Sequence, residues 1–289
     1  NPFAAGAVQV TVTNETLAAE DRTDLYFRGI DLNYPDTWRF QEWNREFQQF
    51  EANGNLPAFE MIRLGGDHMG SFGTEIAGVN TPEKQQADND YAVGKLIETV
   101  AHSQHYANNT LVIVVEDDSQ DGPDHVDSHR APAYVVGPYV RQGAVVSTPY
   151  TLVSALRTIE DVLGTEHMAL NTANARPMSD VFDIGSSGVW SFNAVASTAL
   201  QGTGLQVTLN DMGVKYAEGP VVKSTHDAAY WDEATRGFDF SDADRVPPAL
   251  FNKVLWKGLM GDKPYPAIHS AYTTTEAAEM VRDGDDDDR

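Results

Sequence analysis

Leu111-Val112-Ile113-Val114-Val115-Glu116-Asp117-Asp118-Ser119-Gln120-Asp121-Gly122-Pro123-Asp124-His125-Val126-Asp127-Ser128-His129-Arg130 runs five aliphatic residues directly into six carboxylates and two histidines. An uninterrupted aliphatic run of this length predicts a strand buried on both faces. The charged cluster then falls at the strand's C-terminal end, where open α/β sheets place ligand and catalytic sites. Carboxylates this crowded repel one another unless a cation or protons neutralise them. Oxygen and imidazole donors together suit Zn, Mn, Fe or a similar ion. Asp117, Ser119, Asp121 and Gly122 also imitate the start of an EF-hand loop. Ser128 stands where that loop needs a bidentate Glu, and a strand precedes it instead of a helix. A looser calcium loop stays open, as does a merely solvated acidic surface.

Outward from this stretch, a second Asp-His pair follows a second predicted strand. Phe59–Leu64 reads as that strand, and Gly65-Gly66-Asp67-His68 follows it. Two glycines let a backbone approach another group closely. Trp38, Phe40, Trp43, Phe47 and Phe50 recur at helical spacing, which predicts an amphipathic core helix over 37–52. Residues 69–87 read as a long Gly-containing loop, and loops of that length are often functional. Residues 88–106 read as a helix with His102 and His105 in its last turn, read as structural. Ala133–Val136 is a short strand. Residues 149–163 form a helix with Leu152, Leu156, Ile159 and Leu163 on one apolar face. Residues 165–222 are loop-rich, while 228–235 and 247–259 read as helical. A further strand is predicted at Val8–Val12. The order of elements predicts an α/β fold, a sheet flanked by helices. Residues 1–24 form a lead-in, 25–270 the main domain, and 271–289 an acidic tail of disordered composition.

Bulk composition narrows the function. The 289 residues carry 43 acidic and 20 basic side chains, a net charge of −23. A chain this acidic offers no basic patch to release counterions from nucleic acid. There is no cysteine, which removes disulfides, thiolate metal sites and cysteine nucleophiles together. No apolar run reaches membrane-spanning length. Asn1-Pro2-Phe3 is neither a starting Met nor a charged leader, so the chain reads as following a cleavage or as part of something longer. An exported location, periplasmic, cell-surface or extracellular, is the expectation. No P-loop, Rossmann fingerprint or serine-hydrolase elbow is present.

Ile62–His68, Ala87–Gly94 and Val115–Arg130 resemble the alkaline phosphatase superfamily, in its phosphoesterase branch of phospholipase C and acid phosphatase type. The likeness runs over roughly residues 25–270 and is similar to bacterial proteins that carry an N-terminal β-propeller. It implies an alkaline-phosphatase-like sheet and hydrolysis of a phosphate ester with a divalent metal ion, Zn, Mn, Fe or Ca. By resemblance, Asp67, Asp117, Asp118 and His129 fall to the metal, and His68 and His125 to catalytic contacts. The same likeness implies a Glu-Asn metal-binding element and a Ser or Thr nucleophile upstream of Asp67. Neither is recognisable, and Ser71, Thr74, Ser119 and Ser128 do not occupy that nucleophile's setting. The chain thus reads as the C-terminal portion of the fold, completed by an N-terminal segment or companion chain. The rival expectation is a non-catalytic exported structural or surface-assembly protein that keeps the fold and an ion.

Overall fold

A computed structural model describes residue 6 and residues 14–116, 131–241 and 245–266. The acidic stretch 117–130, the candidate strand Val8–Val12 and the tail 271–289 lie outside the described residues. After the short α1 (Glu15–Ala19), two long helices, α2 (Asp36–Asn53) and α3 (Pro82–Ala101), pack against each other. The strands β1 (Val112–Val115) and β2 (Ala133–Val136) follow, then α4 (Leu152–Leu163) and α5 (Leu170–Asn174). The chain continues through α6 (Gln206–Asp211), α7 (Ala228–Ala234) and α8 (Pro248–Met260).

β1 and β2 pair antiparallel, with Val112 opposite Val136 and Val115 opposite Ala133. Successive side chains of a strand point to opposite faces. Val112 joins the cluster of Phe40, Trp43, Phe47, Ala92 and Val100 from α2 and α3. Ile113 and Val135 join Ala155, Met178 and Val181 on the other side. Helices therefore flank a small sheet on both faces, the mixed α/β architecture expected. The strand is less enclosed than its aliphatic run predicts: its first three residues are half-buried and Val115 is exposed. Two strands cannot shield one another as the inner strands of a wide sheet do.

Residues 59–64 take no regular secondary structure and join no sheet among the described residues. Their burial still alternates. Ile62 and Leu64 pack on the α2–α3 cluster, and Glu60 accepts a hydrogen bond from Trp43 Nε1 at 3.1 Å. Phe59, Met61 and Arg63 are exposed on the opposite side, Met61 at 81 %. The segment has a strand's burial pattern but belongs to no sheet among the described residues.

α3 begins six residues earlier than its apolar periodicity predicts. Thr81 precedes the helix and Pro82 opens it, where a missing N–H costs nothing. His102 is its C-cap, and His105 lies beyond the helix. In α4 the apolar stripe is open at its two ends: Leu152 is 45 % and Leu163 39 % exposed and Leu156 and Ile159 are half-buried, while Ser154, Ala155, Thr158 and Glu160 are buried. The reason lies in the following segment. Thr158 Oγ1 accepts from Met178 N–H at 2.9 Å, and Glu160 Oε1 accepts from Met168 N–H at 3.0 Å. The polar side of α4 is thereby tied to the backbone of 168–178.

Candidate functional site

The Asp67–His68 pair sits in a single 3-10 turn, Gly66–His68, shortly after the 59–64 segment. Both side chains are partly exposed. Met69, Gly70 and Ser71 follow with φ of 49°, 145° and 51°. Three consecutive residues in the left-handed half of backbone space are costly for the two that are not glycine. Such strain persists only where surrounding contacts over-determine it.

Those contacts come from the N-terminal ends of α2 and α3. Asp36 Oδ2 accepts from Gly66 N–H at 2.7 Å and from Asn89 Nδ2 at 3.0 Å. Gln86 Nε2 donates to the Asp67 carbonyl at 3.0 Å. Gln85 grips Gly70 twice, accepting from its N–H at 2.9 Å and donating to its carbonyl at 2.8 Å. Gly66 has to be glycine here, because an added Cβ would stand 2.5 Å from Asp36 Oδ2. The close approach expected of the paired glycines is therefore to a carboxylate of the chain itself. The loop beyond is packed: Phe72 is buried against Trp231, ring centroids 5.7 Å apart. The start of the Gly-containing loop expected over 69–87 is thus held by the clamps on Gly70 and the burial of Phe72.

Beneath the turn lies a buried acidic group that sequence reading missed. Asp36 pairs with Arg39 at 2.7 Å, and both are almost fully buried. Arg39 also donates to the carbonyls of Arg28, Gly29, Asp31 and Tyr34. Asp88 accepts from Asp36 N–H at 2.6 Å and from Thr37 N–H and Oγ1. Burial, then the Asp36 charge, pushes the Asp88 carboxyl upward. Glu75 shares a small cavity with Asp88, Gln85 and Tyr34, about 10 Å³ in volume, room for about one water. Burial first and Asp88 second raise Glu75 to about 9. The available signal was Asp36 directly after Pro35 and Asp88 on a helix face otherwise lined by Ala87, Tyr91 and Ala92.

Of the residues expected at the site, the described structure holds Asp67 and His68. Asp117, Asp118, His125 and His129 lie outside the described residues. No group of three or more His, Cys, Asp or Glu side chains among the described residues is arranged to hold a metal ion. Asp67 and His68 offer one carboxylate and one imidazole, donor types that Zn accepts, and stop two short of a tetrahedral set. A wider groove of about 520 Å³ opens between α2 and α3, bordered by Glu51, Lys95, Glu98 and His102. Along α3 this groove begins at Lys95, about 14 Å from Gln86, and reaches His102, about 24 Å away. No helix among the described residues is long and apolar enough to cross a membrane.

No curated protein and no solved structure matches this chain. Residues 26–165 match the model of the Phosphoesterase family, a span that contains both the clamped Asp67–His68 turn and the acidic stretch after β1, and the match supports a phosphoester hydrolase.

Proposed function

We propose that this chain carries part of the active site of a metal-dependent phosphoester hydrolase. The observation that carries the reading is the Asp67–His68 turn, strained and clamped, inside the phosphoesterase-matching span. Asp67, Asp117, Asp118 and His129 would hold the divalent ion, Zn, Mn, Fe or Ca. Such an ion neutralises an anionic ester and stabilises the leaving oxygen. His68 and His125 would hold phosphoryl oxygens or protonate the leaving group. The chain's own hydroxyls do not supply the nucleophile in this reading. A further polypeptide segment supplies it and completes the sheet, and the assembled protein works outside the cytoplasm.

Two surfaces support the completion. Residues 59–64 alternate in burial like a strand yet join no sheet among the described residues, and Leu152 and Leu163 at the two ends of α4 are exposed.

The test is hydrolysis of a chromogenic phosphate monoester and diester, with Zn, Mn or Ca added, by this chain and by the longest product of its gene. Turnover by the longer product alone is expected. Turnover by the isolated chain that Ser71→Ala abolishes would place the nucleophile here and overturn the completion. No turnover by either would favour the non-catalytic, surface-assembly role. For the metal, the Asp117→Asn/Asp118→Asn double variant should lose bound ion while keeping its fold; unchanged stoichiometry would remove both residues from the site.

A further inference from the structure

We infer that Asp36, Gln85 and Gln86 are positioning residues, which fix the 66–71 backbone and so hold Asp67 and His68 in one orientation. The inference rests on the phosphoesterase reading of that turn. Four backbone groups are involved: Gly66 N–H, the Asp67 carbonyl, and both the N–H and carbonyl of Gly70. A surface turn satisfies such groups with water at little cost. Here each is met by a side chain, and two of those side chains, Asp36 and Gln85, are buried. Gln85 places both ends of its amide on one residue, Gly70, between the two strained positions Met69 and Ser71. Asp36 is itself fixed by Arg39 and Asn89, so the Gly66 clamp has no freedom to follow a moving turn. Packing of Phe72 already anchors the loop, so added polar clamps immediately around Asp67 and His68 serve their orientation. Outer partners of this kind orient ligands and catalytic groups, and their loss typically weakens metal binding tenfold to a hundredfold.

The experiment uses Gln85→Met, which keeps side-chain length, and Gln86→Ala, at an exposed position where folding is not at stake. Two readouts are taken at matched thermal stability. One is amide hydrogen exchange over residues 66–71, with α3 as internal reference. The other is broadening of the Asp67 and His68 resonances by Mn²⁺ alone. Exchange at 66–71 should quicken about tenfold while α3 is unchanged, and the Mn²⁺ concentration for half-broadening should rise about tenfold. Unchanged exchange, or faster exchange with unchanged Mn²⁺ response, overturns the positioning role. If the unsubstituted chain shows no broadening, the metal reading of the turn fails instead; unchanged exchange in the variants then still refutes the clamp, and faster exchange sustains it.

Discussion

Glu75 is the residue with the most unusual chemistry among those described. Both its carboxylate oxygens are buried without a hydrogen bond of normal geometry. The Gly78 and Val79 amides and Lys84 lower its pKa, but burial and Asp88 outweigh them and raise it from 4.5 to about 9. Between those two values the folded chain keeps a proton that the unfolded chain has released. Stability therefore falls as pH rises from about 4.5 toward 9, at up to about 1.4 kcal/mol per pH unit for one proton. Glu75→Gln removes this proton exchange. The variant should be more stable than the parent at pH 8, by about 1 kcal/mol or more, with the difference shrinking toward pH 5. Urea unfolding at several pH values measures it, and a pH-independent difference would refute the assignment. This residue was not legible in the sequence, where Glu75 stands in a Gly-rich stretch with no apolar period. Gly66 was half legible. A close backbone approach was expected, but its partner, Asp36, comes from thirty residues upstream and only the packing of α2 on α3 brings it there.

Elements were read well where local periodicity decides them. α2, α7 and α8 begin and end within one residue of their sequence-predicted bounds, because aromatic spacing and Gly or Pro punctuation act locally. Periodicity predicts the apolar stripe of α4 but not that Thr158 and Glu160 are buried beside it, since their partners lie in a segment with no regular pattern. The 59–64 strand failed for a related reason: alternation is a property of the segment, but a ladder needs a neighbour. Tight helix packing gives a further prediction. Gly258 lies within α8 against the fully buried Trp231, and a Cβ there would stand 2.2 Å from the indole ring. Alanine favours a helix over glycine by about 1 kcal/mol. Overpacking a core costs about 1–3 kcal/mol, and Trp231 has little room to retreat because Phe72 and Tyr230 pack on it. Packing wins, so Gly258→Ala should destabilise the protein by about 1 kcal/mol net. A lower urea midpoint is expected; a higher one would mean that the α7–α8 contact yields easily.

At the scale of the molecule, the question is whether the outer face of the 59–64 segment and the exposed ends of the α4 stripe meet water or a further segment. The chain packs its helices on both sides of two strands, yet leaves Met61, Tyr134 and Leu152 exposed beside them. Scattered exposed apolar residues are ordinary on any protein. A strand-like segment with one face packed and with Phe59 and Met61 exposed on the other is a more specific surface, of the kind that accepts an added strand. Met61 discriminates between the two views. At 81 % exposure it contributes little to this chain alone, so Met61→Asp should change its unfolding free energy by no more than about 0.5 kcal/mol. Where a further segment covers 59–64, as proposed, the same charge would be pressed into an interface and left without a partner, a cost of several kcal/mol. Met61→Asp is therefore expected to leave the isolated chain unchanged and to lower both the melting temperature and the phosphoester turnover of the longer product. A variant neutral in both settings would show that Met61 faces water throughout and that the sheet is not completed across this segment.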